Sequence, residues 1–300
     1  MKIATTTDGR LLVATDGTLA ADVTAALGLT GPDPFALLLA RGQGIAPIAD
    51  LDLPSLPQVA LGDVTLGAPV RPRTVIGAPV NYRDHQVEMH EQLTVAELGV
   101  FLKASSSVIG PGGIVELPYT DVRTDHEGEL TVVLGRHARN LSPAQAMDAV
   151  LGYTCGLDIT VRSTEDRSTR KSFRTFTPLG PWVVSADEVP DPGALDLRCW
   201  VGDELRQHAS TADLILGVAE LVAYASHVMT LEPGDVILTG TPAGVGPILP
   251  GDRVAVEISQ LGRLEVTVSD AGAIAYADRP GVAHRGPSGN GTDHTLGRTA

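Results

Sequence analysis

Residues 126–134 read His-Glu-Gly-Glu-Leu-Thr-Val-Val-Leu, and this run predicts a strand with two carboxylates at its start. Side chains alternate between the two faces of a strand, so Glu127 and Glu129 are expected to point the same way. Asp158 lies in a second strand-like run, residues 152–161, where an acidic side chain is out of place by propensity.

A bound divalent metal is one interpretation of these three carboxylates. A Glu-x-Glu pair alone is more often a solvated polar face, because exposed charges are the default. Three carboxylates in semi-buried surroundings, however, repel one another unless a cation joins them. Ligation by oxygen alone favours Mg²⁺, Mn²⁺ or Ca²⁺ over Zn²⁺. The pattern therefore predicts a cation site at Glu127, Glu129 and Asp158.

The composition is that of a globular protein with one large domain or two smaller ones. Hydrophobic residues make up 43% of the 300 residues, and the formal net charge is −14. Such an excess of negative charge opposes attraction to nucleic acid or to an anionic membrane surface. Neither is therefore expected as a partner.

The cysteines and the N-terminus bear on cellular location. Cys155 and Cys199 lie in strand-like runs and form no Cys-x-x-Cys motif, so we expect buried, reduced thiols. The first residues lack the apolar core of a signal peptide. No run reaches the roughly 20 apolar residues that a membrane helix needs. These features predict a cytoplasmic protein.

Three regions follow one another along the chain. Residues 1–72 are expected to form a small N-terminal α+β unit that ends in a proline-rich linker laid over the surface. Residues 73–275 contain most of the strand-like runs, and residues 276–300 are predicted to be disordered. The longest helical pattern runs from Asp213 to Met229. Because strands outnumber helices and do not alternate with them, the fold class is predicted to be α+β and strand-dominated.

Two common catalytic motifs are excluded. The glycine-rich loop from Gly240 to Gly246 lacks the Lys-Ser/Thr pair of a phosphate-binding loop. The prolines that follow it also prevent the helix that begins directly after such a loop. The sequence has no Gly-x-Ser-x-Gly elbow, so a serine hydrolase of that type has no nucleophile.

Several segments together resemble the fumarylacetoacetate hydrolase family, over about residues 71–262. Each segment is modest alone, but their number, order and spacing are specific for the family. They are Asn81–His85, Phe101–Lys103, Glu127–Leu130, Gly152–Thr154, Lys171–Phe173, Pro178–Trp182 and Leu231–Gly246. The resemblance implies a mixed β-roll or sandwich core, a homodimer, and one Mg²⁺ or Mn²⁺ per site on the three carboxylates.

Three residues are expected to carry the catalysis. His85 and Glu88 stand three apart, one helical turn, so their side chains can touch. Spacing alone would favour an ordinary surface pair, but in family members with a similar His-x-x-Glu the pair activates water. The resemblance also makes Lys171 the active-site lysine, and residues 85–98 a mobile lid.

Four further residues are weaker candidates for holding the substrate carboxylate: Tyr82, Arg83, Lys103 and Thr241. Thr241 fits this role because a glycine-rich loop exposes backbone N–H groups to an anion. Substrates in this family are small acids that chelate the metal as a 2-oxo acid, its enol or a β-diketone.

These inferences predict a metal-dependent enzyme that hydrolyses a C–C bond in an acylpyruvate-like or other β-dicarbonyl acid. A decarboxylase or an isomerase/hydratase of a 2-oxo or 2-hydroxydienoic acid is the nearest alternative, on the same metal platform. A catalytically inactive relative that binds a small molecule is the second alternative. Candidates at every ligand and catalytic position favour an enzyme.

Overall fold

Strands dominate the fold, and the predicted α+β class is confirmed. The computed structural model describes residues 1–282, within which nineteen strands form three sheets. In chain order the strands are β1 (Lys2–Thr5), β2 (Leu11–Ala14), β3 (Leu19–Asp22), β4 (Gln58–Ala60), β5 (Val75–Gly77), β6 (Phe101–Lys103), β7 (Val108–Ile109), β8 (Ile114–Glu116), β9 (Thr124–His126), β10 (Gly128–Leu134), β11 (Val150–Leu157), β12 (Thr160–Val161), β13 (Thr177–Ser185), β14 (Asp196–Val201), β15 (Glu204–Ser210), β16 (Val236–Leu238), β17 (Gly246–Pro247), β18 (Arg253–Ile258) and β19 (Gly262–Ser269).

The largest sheet brings the ends of its central strands to one place. Its order is β4-β3-β2-β1-β13-β11-β10-β16-β5-β6, with β7 paired to β13 beside this path. Strand β10 is antiparallel to β11 and β16, and β16 is parallel to β5. The start of β10 therefore lies beside the ends of β11, β16 and β5.

Two smaller sheets complete the architecture. One has the order β15-β14-β18-β19-β8, and the other has the order β12-β9-β17. In the latter, Thr160 of β12 pairs with Asp125 of β9. This pairing holds the residues just before β10 alongside the residues just after β11.

Helices are short and few among the described residues. They are α1 (Pro34–Leu39), α2 (Ala46–Ala49), α3 (Arg83–Glu88), α4 (Val95–Leu98), α5 (Pro143–Ala146), α6 (Arg167–Arg170) and α7 (Val218–Val228). Helix α7 starts later than the predicted Asp213, because the backbone N–H groups of Ile215 and Leu216 bond to Asn81 instead, each at 2.8 Å. A tertiary contact here overrides a local helical pattern.

The N-terminal residues extend the largest sheet. β1 pairs antiparallel with β13 in the register Lys2↔Val184, and β2, β3 and β4 follow outward. Strand β4 lies within the segment predicted to be a surface linker, and Val70 of that segment is buried. The predicted linker therefore contains an edge strand, and the rest of the prediction, a small N-terminal unit over residues 1–72, stays a prediction.

The end of the described chain is packed. Tyr276–Asp278 forms a 3₁₀-helix, and the ring centroid of Tyr276 lies 5.0 Å from that of Tyr119 in an edge-on contact. Disorder predicted from residue 276 is therefore wrong for this helix, and residues 283–300 lie outside the described part of the chain. Within residues 1–282, no helix has the length and apolar character to cross a membrane.

The two faces of β10 have different surroundings. Leu130, Val132 and Leu134 point into the main hydrophobic core, which includes α7 and the five-stranded sheet. Val133, on the opposite face, packs in a second cluster with buried residues of the N-terminal unit. Glu129 shares the face of Val133, because side chains alternate along a strand.

Candidate metal centre and active site

The three predicted ligands are positioned by β10 and β11. Glu127 directly precedes β10, Glu129 is its second residue, and Asp158 directly follows β11. The N–H of Asp158 donates to the carbonyl oxygen of Glu127 at 2.8 Å. Asp158 thus interrupts the strand predicted over residues 152–161, and its turn brings the carboxyl group to the start of β10.

Glu127, Glu129 and Asp158 converge on one point. One carboxylate oxygen from each lies within 4.8 Å of the other two, and none of the three residues is more than 5% exposed. Buried oxygens at this spacing suit a single divalent cation. The structure thus brings together the carboxylates that the sequence singled out, while their role as ligands stays a prediction.

Lys171 and Arg162 neutralise part of this cluster, beside Lys103, which contacts Asp158. Lys171 Nζ donates to Glu127 Oε2 and to Asp158 Oδ2, each at 2.6 Å, and Arg162 Nη2 donates to Glu127 Oε1 at 2.9 Å. Burial alone would raise the pKa of Glu127, but Lys171 and Arg162 outweigh burial and hold the pKa at about 2. Burial would lower the pKa of Lys171, yet Asp158 and Glu127 raise it. Glu127 and Lys171 are therefore both charged.

Glu129 is the member of the triad that forms no ion pair within residues 1–282. Among residues 1–282 its hydrogen-bond donor is the N–H of Gly240, 2.6 Å from Oε2. Burial, followed by the charges of Asp158 and Glu127, raises the pKa of Glu129 well above its ordinary value. Repulsion among buried oxygen donors is relieved by a hard cation, so the residues present fit Mg²⁺ or Mn²⁺.

His85 and Glu88 form the pair that the sequence predicted on α3. His85 Nδ1 lies 2.8 Å from Glu88 Oε2, and Glu88 Oε1 accepts the N–H of Gly244 at 3.0 Å. Glu88 is thus fixed at both oxygens, by the imidazole and by the glycine-rich loop. With Nδ1–H donated to a carboxylate, Nε2 of His85 is the basic nitrogen.

Lys103 and Thr241, two of the predicted substrate contacts, are bonded to protein groups. The ammonium of Lys103 is buried and donates to Asp158 and, at 2.8 Å, to the carbonyl of Phe176. Thr241 Oγ1 accepts from Gln207 Nε2 at 2.7 Å and donates to the carbonyl oxygen of Gly128, the first residue of β10, at 3.0 Å. Lys103 is therefore placed to orient Asp158, and the hydroxyl of Thr241 is already in use.

Tyr82 and Arg83 do not offer groups to the same point. Tyr82 is fully buried, and within residues 1–282 its hydroxyl has no hydrogen-bond partner. Arg83 is exposed and lines a separate cavity of about 500 Å³ with Gln86 and Val87. The four candidates therefore do not converge on one point, and a role for any of them in holding the substrate carboxylate stays a prediction.

An arginine–aspartate network beside Glu127 was missed by the sequence reasoning. Arg162 Nε donates to Asp125 Oδ2 at 2.7 Å, and Arg123 donates to both oxygens of Asp125, at 2.5 and 3.0 Å. Asp125 is 1% exposed. The alternation of Asp125 with Glu127 and Glu129 could have pointed to Asp125. The contact of Arg162 with Glu127 could not be predicted, because the two residues are 35 positions apart and no local pattern joins them.

Asn81 links three segments that meet at the site. Its Nδ2 donates to the carbonyls of Leu216 and Thr239, at 2.9 and 2.8 Å, and its Oδ1 accepts the N–H of Leu216 at 2.8 Å. Gly240 follows with a φ of +99°, and a Cβ there would lie 2.7 Å from the Cβ of Asn81. Asn81 thus sets the distance between α3, the start of α7 and the glycine-rich loop.

We expect Asn81→Ala to lower the free energy of unfolding by about 2–4 kcal/mol, since each buried hydrogen bond contributes about 1 kcal/mol and its stranded partner costs more. Urea unfolding followed by circular dichroism measures the change. Gln92→Ala, at an exposed position, is the control and should change stability by less than about 0.5 kcal/mol. Equal stability of the two variants would contradict the linking role of Asn81.

A buried carboxylate triad beside a His–Glu pair, at the convergent strand ends of a β-rich core, defines a metal-dependent enzyme. Residues 74–269 match the family model for the fumarylacetoacetate (FAA) hydrolase C-terminal region. The chain belongs to the fumarylacetoacetate hydrolase family, as the resemblance predicted.

Individual relatives narrow the class of activity. A maleylpyruvate hydrolase from Aquipseudomonas alcaligenes is 41% identical over 292 residues, which cover 89% of this chain and 99% of the relative. The crystal structure of maleylpyruvate hydrolase from Sphingobium sp. SYK-6, in complex with manganese(II) ion and pyruvate, matches with a TM-score of 0.81 and 39% identity over 90% of this chain and 99% of that one. A bifunctional isomerase/decarboxylase of 4-hydroxyphenylacetate degradation from Escherichia coli is 41% identical over 196 residues, 64% of this chain and 46% of that protein. The predicted class, a metal-dependent hydrolase with isomerase and decarboxylase relatives, is confirmed.

Proposed function

We propose that this protein hydrolyses the C–C bond of an acylpyruvate, yielding pyruvate and the acid of the acyl group. The observation that carries the proposal is the His85–Glu88 pair beside the triad. Hydrolysis needs a base to activate water, whereas decarboxylation and isomerisation need no water attack. The similarity to two maleylpyruvate hydrolases supports the same reaction class.

His85 acts as the general base in this proposal. Its Nε2 takes a proton from water while the water oxygen adds to the distal carbonyl carbon of the substrate. The C–C bond then breaks, its electron pair passes to the pyruvate enolate, and the proton held by His85 returns to the enolate carbon. Glu88 keeps Nδ1 protonated and stabilises the imidazolium between these two transfers.

Glu127, Glu129 and Asp158 would hold the cation, Mg²⁺ or Mn²⁺, and Mn²⁺ is supported by the manganese-bound relative. When bound, the cation would polarise the 2-oxo acid and stabilise negative charge on its oxygens. Lys103 and Lys171 orient the ligands by direct contacts with the carboxylates.

Lys171 has a second proposed role, in stabilising the oxyanion formed by water attack. Its ammonium donates to Glu127, Asp158 and, at 2.7 Å, to Thr160 Oγ1, which together use its three N–H groups. To reach an oxyanion, Lys171 must therefore exchange one of these partners for the substrate.

We also propose a cytoplasmic homodimer with a catalytic domain over residues 73–275. Cys155 and Cys199 are free and buried, which fits a reducing compartment. The dimer is supported by the family resemblance, and the acidic net charge supports the absence of nucleic-acid and membrane partners. Gel filtration with light scattering tests the dimer.

The decisive test of the function is a turnover screen. The purified protein with Mn²⁺ or Mg²⁺ is incubated with acylpyruvates, oxaloacetate and 2-hydroxydienoic acids, and products are identified by mass. We expect pyruvate and a free acid from acylpyruvates. If acylpyruvates are not cleaved, but oxaloacetate yields carbon dioxide or the dienoic acid is isomerised, the isomerase/decarboxylase alternative is favoured. The similarity to the Escherichia coli relative supports that alternative. If no substrate is turned over, the second alternative, a catalytically inactive protein that binds a small molecule, becomes the better interpretation.

The segment 85–98 is proposed to close over the site as a lid. It is tied down at few points, among them the Glu88–Gly244 contact and the buried Val95, while Val87 is 75% exposed. Such a segment opens at low free-energy cost, and its closure would exclude water from the reaction. We expect Mn²⁺ with pyruvate to slow hydrogen exchange of its amides. Exchange in the hairpin of β14 and β15 should stay constant, and an unchanged rate in residues 85–98 would argue against a lid.

A further inference from the structure

A second cavity lies at the end of β10 that is remote from the carboxylate triad. It has a volume of about 810 Å³, which is within the range of small-molecule sites. Four segments form its walls: α1 with the residues after it, the residues that lead into β5, the residues after β10, and the turn before β16. The cavity thus lies where the N-terminal residues meet the rest of the chain.

This cavity is separate from the proposed active site. Strand β10 carries Glu129 as its second residue and ends at Leu134. Gly135 and Arg136, which follow directly, line the cavity. With a rise of about 3.3 Å per residue, Glu129 and Arg136 lie about 20 Å apart along the strand. A small molecule in the cavity would therefore not contact the triad.

Three arginine side chains line the cavity without an acidic partner. Within residues 1–282, Arg71, Arg73 and Arg136 form no ion pair, and their side chains donate no hydrogen bond to protein groups. All three residues are exposed, so their guanidinium groups are accessible from the cavity. Guanidinium groups bind phosphate and carboxylate oxygens through paired N–H donors. This surface is locally cationic in a chain whose net charge is −14.

The two acidic residues of the cavity wall are engaged with other groups. Asp33 Oδ1 accepts the N–H of Ala36 at 2.9 Å and caps α1. Glu232 Oε1 lies 3.9 Å from Nε2 of His137, which also lines the cavity. Neither carboxylate neutralises an arginine, so the guanidinium donors are left for a ligand.

A buried carboxylate holds two of the walls in fixed positions. Asp235, 1% exposed, accepts the N–H of Thr74 at 2.7 Å through Oδ1 and the N–H of Glu232 at 2.8 Å through Oδ2. Thr74 directly follows Arg73, and the N–H of Gly234 donates to the carbonyl oxygen at the end of β10 at 2.8 Å. The backbone that carries the arginines is therefore ordered before a ligand binds, which lowers the entropic cost of binding.

The remaining lining defines the kind of molecule that fits. Leu39, Val70 and Pro233 give the cavity an apolar wall, which suits an organic body. A single carboxylate is satisfied by one guanidinium, whereas a phosphate group carries about −1.5 to −2 charge and three acceptor oxygens. Two linked phosphates therefore match three arginines better than a lone carboxylate does.

We propose that this cavity is a second binding site, which takes an organic diphosphate. The phosphates bind to Arg71, Arg73 and Arg136, and the organic part packs against the apolar wall. The inference goes beyond the proposed acylpyruvate hydrolysis and does not depend on it, because no residue of the triad or of the His85–Glu88 pair takes part.

The first test measures binding of adenosine diphosphate, used as the probe, by calorimetry on the full chain in EDTA. The chelator removes divalent ions that would carry the diphosphate to the triad. We expect one probe molecule per chain, with adenosine binding at least about tenfold more weakly, and Arg136→Gln should weaken the diphosphate about tenfold or more. Arg253→Gln loses the same charge at an exposed pair and is the matched control, with no expected change. The proposal is overturned if the parent does not bind the diphosphate, or if Arg136→Gln binds it as tightly as the parent.

The second test blocks the cavity and leaves every arginine in place. Ala36 is an exposed residue of α1 that lines the cavity, so Ala36→Trp should fill part of the space and weaken the diphosphate at least about tenfold. Leu37→Trp, on the same helix but outside the lining, is the control, and thermal unfolding verifies that both variants fold. Undiminished binding by Ala36→Trp, or an equal loss in Leu37→Trp, would place the probe elsewhere and overturn the site.

Discussion

Glu129→Gln is expected to weaken Mn²⁺ binding by at least about 100-fold. The three buried carboxylates are the oxygen donors of the proposed site, and the substitution removes one anionic ligand while keeping its size. Loss of a partner outside the first coordination shell already costs about 10- to 100-fold in affinity, so loss of a ligand costs more. Titration calorimetry on parent and variant measures the change.

Glu129→Gln should not destabilise the metal-free protein, although it weakens metal binding. Burial, together with Asp158 and Glu127, raises the pKa of Glu129, so its charge opposes folding of the metal-free protein. A neutral amide removes this repulsion, and its oxygen can still accept the N–H of Gly240. We therefore expect the metal-free variant to melt at a temperature equal to or above that of the parent.

These two measurements together separate a lost ligand from a damaged fold. Asp203→Asn removes a carboxylate from an exposed turn, where the side chain is 98% exposed, and should change neither quantity. If Glu129→Gln binds Mn²⁺ as tightly as the parent, Glu129 is not a ligand and the site is misassigned.

The sequence predicted the strands better than the contacts between them. The β-branched run of β10 has the period and propensity of a buried strand, so its position could be read locally. The pairing of β1 with β13 joins residues more than 170 positions apart, and no local pattern specifies such a partner. The start of α7 was predicted too early for the same reason, since Asn81 takes the N–H groups of two residues that the helical pattern includes.

The candidate site shows the same limit. Glu127 and Glu129 could be paired from their spacing, because a period of two holds even though Glu127 lies just outside β10. The surroundings of the triad could not be predicted in this way. Lys103 was expected to face the substrate, but burial against Asp158 is a property of how β6 and β11 come together. The contacts of Arg123 and Arg162 with Asp125 could not be predicted either, because they depend on where the fold buries Asp125.

His85→Ala should lower acylpyruvate hydrolysis by about 10²- to 10⁴-fold, the usual contribution of one general base. The imidazole is not among the proposed ligands, so Mn²⁺ affinity should stay within about threefold of the parent. Glu88→Gln should also reduce the rate, because a neutral amide no longer stabilises the imidazolium formed when water is deprotonated. His227→Ala, at an exposed position of α7, is the control and should retain full activity.

The result with His85→Ala also decides between the leading mechanisms. Decarboxylation depends mainly on an electron sink for the enolate and on alignment of the breaking bond, so it should tolerate loss of the base. Hydrolysis cannot, because the water that attacks the distal carbonyl must lose a proton at Nε2 of His85. Suppose the folded, metal-loaded variant cleaves an acylpyruvate at an undiminished rate. Water activation by His85 would then be wrong, and the isomerase/decarboxylase reaction would become the better account of a site whose triad is intact.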